Sequence, residues 1–138
     1  MRVVRVLGAL ATLVALGSCG PSTPPAPSVN DFKAGSCRQV AAEVLDVASM
    51  TSAVSQGQKS AAAAEDPLTA DQGHLKSTVE QLADPSVQQQ VRTVIIDIGF
   101  FRFTVDHHTF DGSQNKGLAK DAGAIESACI TSHPATGS

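Results

Sequence analysis

One stretch of the sequence decides between an all-helical fold and a fold of helices and strands. It is residues 93–105, which read Thr-Val-Ile-Ile-Asp-Ile-Gly-Phe-Phe-Arg-Phe-Thr-Val. Its β-branched and aromatic residues are typical of a strand, because such side chains pack well on a pleated surface. The remaining sequence offers no second convincing strand, and a lone strand is not a stable structure. The stretch is therefore predicted to be a helix, and the chain an all-α protein.

Two Asp-Pro pairs mark the starts of predicted helices, and both lie before this stretch in the sequence. Asp84-Pro85 precedes the stretch, and Asp66-Pro67 lies one helix earlier. Aspartate is a common N-cap, and proline fits the first helical position because its missing N–H has no partner there anyway. Apolar residues follow each pair at the three- and four-residue spacing of one helical face.

The first and last helices bring the number of predicted helices to four. The first begins near Ser36, and the alanines at 61–64 either extend it or form a looser end. Asp111-Gly112-Ser113 interrupts the pattern, and a final apolar stripe ends at Cys129. The sequence thus predicts a small up-down four-helix bundle over residues 36–130, followed by a flexible tail, 131–138.

The N-terminus is typical of an exported protein. Two arginines precede an apolar run, Val6–Leu16, which is shorter than the roughly 20 residues of a membrane span and is followed by small residues. The run ends in Leu16-Gly17-Ser18-Cys19, which resembles the lipobox of bacterial lipoproteins. The resemblance implies that residues 1–18 are a signal peptide and that Cys19 carries a lipid anchoring the protein to the extracytoplasmic face of the cell membrane. The alternative is an ordinary secretory signal with a chance cysteine.

The next segment, residues 19–35, is predicted to be a Pro/Ser-rich tether. Four of the seven prolines fall here, and such a composition favours extended polyproline conformations over a packed core. Loss of the signal peptide removes Arg2 and Arg5, leaving 8 basic against 13 acidic residues and a net charge of −5. That charge disfavours nucleic acid and anionic lipid headgroups, so the membrane contact is expected to be the lipid on Cys19.

With Cys19 acylated, Cys37 and Cys129 remain, and an even pair in an exported domain predicts a disulfide. The two positions start the first predicted helix and end the last. In an up-down bundle these ends meet only when the helix number is even, so a bridge favours four helices. Two free thiols are the alternative; zinc is disfavoured because neither cysteine has a second ligand at metal spacing.

The Phe-rich stretch has two apolar sides when it is drawn as a helix. One side contains Ile96, Phe100, Phe103, His107 and Phe110, and the other contains valines and isoleucines. Such a helix is either buried in the core or presents a second face to a ligand or partner. Because the chain has no Trp or Tyr, core filling is the favoured interpretation. A ligand or partner surface formed by Phe100, Phe103, His107 and Phe110 is the alternative.

The charged residues of the same helix also allow predictions. Asp97 is interpreted as a polar edge, although burial among isoleucines would raise its pKa. Arg102 and Asp106 are four residues apart, which predicts an ordinary ion pair on the helix surface.

Motifs of catalysis and of cofactor binding are absent from the sequence. It contains no His-Glu-x-x-His, no Gly-x-Ser-x-Gly and no phosphate-binding loop, and Glu65, Asp66 and Asp71 lack calcium-loop spacing. His107 and His108 are adjacent and point about 100° apart, which does not suit one metal ion. We therefore expect no enzyme activity, no cofactor and no metal site.

The sequence as a whole predicts an exported, membrane-anchored lipoprotein with a non-catalytic helical domain that binds an unknown partner, for example a protein of the envelope. The alternative is a carrier of a small apolar ligand or haem between its helices. Small exported helical haem carriers of the mycobacterial haemophore type are similar in size and in their cysteine pair, although this chain has no Tyr to act as an axial ligand.

Overall fold

The structure is a computed structural model that describes residues 25–131. The predicted signal peptide, Cys19 and residues 132–138 lie outside the described residues. Within residues 25–131 the chain is helical without a β-strand, so the all-α prediction is confirmed. The α-helices are α1 (Ser36–Gln39), α2 (Ala41–Ser55), α3 (Ala61–Thr78), α4 (Pro85–Asp106) and α5 (Ser113–Cys129).

Helix α4 contains the stretch that resembles a strand. The Asp84 side chain accepts hydrogen bonds from the backbone N–H groups of Ser86 and Val87 at 2.8 and 3.3 Å, and Pro85 is the first helical residue, as predicted. The inward side chains of α4 recur at helical spacing, and burial of this face outweighs the low helix propensity of its β-branched residues. The inward side chains are Val87, Val91, Val94, Ile98 and Phe101.

Two helix boundaries differ from the prediction. Asp66-Pro67 does not start a helix: Pro67 lies inside α3, which begins at Ala61 with Ser60 as its N-cap. The Ser60 hydroxyl accepts a hydrogen bond from the Ala63 N–H at 3.1 Å, and the alanines form the first turn. The single first helix expected from Ser36 is divided at Val40, whose φ of −114° and ψ of 3° end α1 before α2 begins.

The four long helices surround a common apolar core. Helix α2 packs against α3 and α5, and α4 packs against the same two helices. Each helix contributes side chains that are fully buried, such as Val44, Leu68, Ile98 and Ile125. Phe32, which precedes α1, is also buried at 1% exposure and belongs to this core.

A disulfide joins the first and last helices, because Cys37 in α1 is bonded to Cys129 at the end of α5, as predicted. The chain segments beside it are also joined. The Lys33 N–H donates to the Cys129 carbonyl at 2.8 Å, and the Thr131 N–H donates to the Asp31 carbonyl at 3.1 Å. The two ends of the described chain therefore leave the domain side by side.

Candidate interaction surface

The outward side of α4 carries an exposed apolar surface, which we call the α4 stripe: Ile96, Phe100, Phe103 and His107. Ile96 is 69% exposed, and Phe100 and Phe103 are each 54% exposed. The His107 ring stacks on the Phe103 ring with centroids 4.1 Å apart, and its Nδ1 lies 2.8 Å from the Phe103 carbonyl oxygen. The interpretation of Phe100 and Phe103 as core side chains is therefore wrong.

Phe110 does not belong to this surface. It is half-buried and packs edge-to-face on Phe101, with ring centroids 5.1 Å apart, and Phe101 is fully buried in the core. Phe110 follows the end of α4, where the helical phase that would place it beside Phe103 no longer applies. The structure thus brings together three of the four predicted surface residues and places the fourth with the core.

Among the charged residues beside the stripe, Arg92 and Asp106 lie near its two ends and Arg102 lies beside its middle. Arg92 is bonded to both carboxylate oxygens of Glu80 at 3.0 Å. Arg102 does not pair with Asp106 as predicted; it reaches α3, where it donates to Gln72 at 3.3 Å and lies 3.9 Å from Glu65. Asp106 is exposed at the end of α4 and has no ion-pair partner among residues 25–131.

Two open grooves lie elsewhere on the surface. One, of about 540 Å³, lies where α3 begins and α4 ends and is lined by Glu65, Val105, Asp106, His108 and Phe110, with two alanines. The other, of about 610 Å³, lies beside α2 and includes Glu126 and the tether residues Ala26 and Pro27. Neither groove is lined by Phe100 or Phe103.

Two partly or fully buried carboxyl groups have strongly raised pKa values. Burial, with the nearby carboxylates of Asp46 and Glu43, raises the pKa of Asp71 to about 6, although His74 opposes the shift. Burial, followed by a hydrogen bond and charge repulsion from Asp121, raises the pKa of Asp97 to about 6.

Asp97 is therefore more than a polar edge of α4, and the Asp71 cluster between α2 and α3 has no counterpart in the sequence analysis. Burial also raises the pKa of Glu126, a residue of α5. In the folded state all three carboxyl groups therefore keep a proton to higher pH than they do in the unfolded chain.

We expect the protein to become more stable as the pH falls from about 7 towards 4.5. Folded Asp71 and Asp97 titrate near 6, whereas their ordinary value is 3.8. The folded state therefore binds more protons than the unfolded state between these values, and the associated stability is lost as pH rises through about 6. Thermal unfolding followed by circular dichroism should show a higher Tm at the lower pH.

The variant Asp71→Asn/Asp97→Asn should flatten this pH dependence, because its amides do not titrate. Asp66→Asn is the matched control, since Asp66 is an exposed carboxylate of α3. A Tm that falls on acidification, or a double variant that retains the wild-type pH dependence, would contradict this assignment.

The described residues contain no group of three or more His, Cys, Asp or Glu side chains arranged to hold a metal ion. Among the same residues, no helix has the length and apolarity required to cross a membrane. Comparison with known proteins found no matching family model, no similar characterised protein and no similar solved structure. The function must therefore be argued from the chain itself.

Proposed function

We propose that the protein is an exported, non-catalytic interaction module anchored by a lipid on Cys19 to the extracytoplasmic face of the cell membrane. The α4 stripe is its contact surface. The observation that carries this proposal is the exposure of three large apolar side chains in a row on one helix. The lipobox-like sequence Leu16-Gly17-Ser18-Cys19 supports the anchor.

The stripe is not required by the packing of the domain. Helix α4 already buries a complete apolar face against α3 and α5, with Val94, Ile98 and Phe101 fully enclosed. A second apolar face adds nothing to that core and leaves hydrophobic area in water. Contiguous exposed apolar surface on a soluble domain is typical of a site that another molecule covers.

We infer that helices α2–α5 form an up-down four-helix bundle, to which the single turn α1 is added at the start. Each long helix packs against two of the others, and the disulfide joins the beginning and end of the helical chain, which supports this arrangement. In such a bundle the stripe lies on the outer side of α4, opposite the face packed on α3 and α5, and is open along its length.

The anchor is tested by replacing Cys19 in the full chain, expressed in a bacterium that processes lipoproteins. We expect the wild type in the membrane fraction, with the mass of its N-terminal peptide increased by a diacylglyceryl group. Cys19→Ser should remove both the added mass and the membrane association, because the hydroxyl does not replace the thiol as acceptor and two acyl chains supply the anchoring energy.

Ser22→Ala in the tether is the matched control and should behave as the wild type. A wild-type chain that is unacylated and found only in the soluble fraction would disprove the anchor. The contact surface is tested separately below, so the two parts of the proposal can fail independently.

A second candidate function is the carriage of a small apolar ligand. The observation in its favour is the groove of about 540 Å³ that combines the apolar side chains of Val105 and Phe110 with His108. Titration with haem, followed by its absorbance, tests this candidate directly. Saturable binding that is lost in His108→Ala but kept in Phe100→Ala would favour a carrier over an interaction module.

A further inference from the structure

We propose that the molecule covering the α4 stripe is a second copy of this chain, packed antiparallel along α4. The inference rests on the proposed role of the stripe as a contact surface. It adds the identity of the partner, which follows from the shape and charge of the stripe itself.

The stripe is complementary to itself in shape. Ile96, Gly99, Phe100 and Phe103 occupy positions i, i+3, i+4 and i+7, the four positions that form a hole for a side chain of a facing helix. In an antiparallel pair centred between Gly99 and Phe100, the second copy's Phe100 lies over this hole, whose floor at Gly99 is formed by the Gln72 amide of α3, 3.2 Å from the position of a Gly99 Cβ. Each Ile96 then lies opposite the other copy's Phe103.

The charged residues beside the stripe are complementary under the same symmetry. With 1.5 Å of rise per residue, Arg92 lies about 11 Å before the centre and Asp106 about 10 Å after it. With 100° per residue, both lie on the same flank, about 40° and 80° from Ile96. A two-fold axis perpendicular to α4 inverts the position of each residue along the helix direction. It leaves each residue on the same flank of the interface. Each Arg92 therefore faces the other copy's Asp106.

Both side chains are placed to make these pairs. Asp106 is exposed and makes no ion pair within residues 25–131, because Arg102 points to α3 instead. The side chain of Arg92 is 43% exposed and binds Glu80, which is itself 69% exposed, so the guanidinium can contact a second carboxylate at its free edge. The opposite flank carries Thr93 at the level of Arg92. Its nearest charged residue, Asp97, lies about 100° from Ile96 and is held beside Asp121 of α5.

Another macromolecular surface within reach of a tethered domain is the bilayer. The net charge of −5 after removal of the signal peptide disfavours an anionic membrane surface, and the stripe is not bordered by a cluster of lysines. A second anchored copy has the advantage of confinement in the same plane, which raises its effective concentration. Three apolar side chains per copy can then suffice for association.

Two charge-reversal variants of the full chain test the pairing. Differently tagged copies are expressed together, cross-linked briefly in intact membranes, solubilised and purified through one tag. Arg92→Glu places two carboxylates opposite each other in its own dimer, and Asp106→Arg places two guanidinium groups opposite each other. Each variant should therefore recover about tenfold less of its own second copy than the wild type does.

The decisive measurement mixes the two variants. In the mixed pair, the glutamate introduced at position 92 faces the arginine introduced at position 106, and the native Asp106 faces the native Arg92. Recovery should return to nearly the wild-type level. Lys116→Glu, an exposed charge reversal on α5, is the matched control and should recover its own copy as the wild type does.

The proposal is overturned if the wild type does not recover its second copy, if either variant pairs with itself as well as the wild type does, or if the two variants fail to pair with each other. The variant Phe100→Asp distinguishes failure of the proposed pairing with a second copy from failure of the stripe as a contact surface. If wild-type self-association is absent but, in the unacylated Cys19→Ser chain, Phe100→Asp abolishes sedimentation with vesicles of neutral phosphatidylcholine, the stripe is a contact surface for lipid instead.

Discussion

Replacement of both Cys37 and Cys129 by alanine is expected to lower the free energy of unfolding by about 4–5 kcal/mol in the chain-entropy model. The two cysteines are separated by 92 positions, so the bond closes a loop that contains almost every contact of the folded domain. Without it, the unfolded chain gains the conformational freedom of that whole loop, and the folded state gains nothing in return. For a domain of this size the loss corresponds to a fall in Tm of roughly 20 °C.

Urea unfolding of the wild type and of the double variant measures this difference. The wild type in the presence of a reductant should approach the stability of the variant, whereas the variant should not respond to reductant. A difference of less than about 1 kcal/mol would contradict the entropic role of the bond and would indicate that the unfolded chain is already compact.

The adjacent residues Phe100 and Phe101 should respond to the same substitution in opposite ways. Phe101 is fully buried and packs against Phe110, so Phe101→Ala leaves a cavity and should cost about 3–5 kcal/mol. Phe100 is 54% exposed, and Phe100→Ala should change the free energy of unfolding by less than about 1 kcal/mol. Instead, it should weaken the recovery of a second copy from membranes.

Chemical denaturation at low protein concentration measures the two stabilities without a contribution from self-association. Phe103→Ala is a second variant of the same kind and should behave as Phe100→Ala does, because Phe103 has the same exposure as Phe100 and lies on the same stripe. Equal losses at positions 100 and 101 would mean that α4 is rotated relative to its described position, and the assignment of the stripe would fail with it.

The helix boundaries show that a local sequence motif does not by itself determine where a helix starts. Asp84-Pro85 and Asp66-Pro67 are the same dipeptide, yet only Asp84-Pro85 starts a helix. The difference lies upstream: Ser60 supplies a cap and is followed by four alanines, the best helix formers, so α3 is established before Pro67 is reached. A proline then costs one backbone hydrogen bond in a helix that tertiary packing already holds.

The surface could be predicted only in part. Helical periodicity places Ile96, Phe100 and Phe103 on one side of α4, but two apolar sides give no local indication of which one the other helices cover. No local signal marks Phe32 as a core residue, because it follows a proline-rich segment and its burial depends on contact with Ile130 at the other end of the domain. The raised pKa values of Asp71 and Asp97 likewise depend on groups from neighbouring helices.

The disulfide also determines how the domain responds to mechanical force. A pull between the segment before Phe32 and the segment after Ile130 is carried by the Cys37–Cys129 bond. The residues between the two cysteines lie inside a covalent loop and bear no tension, so such a pull cannot extend them while the bond is intact. Only the short outer segments lengthen, and reduction of a single bond would release the entire helical chain to unravel.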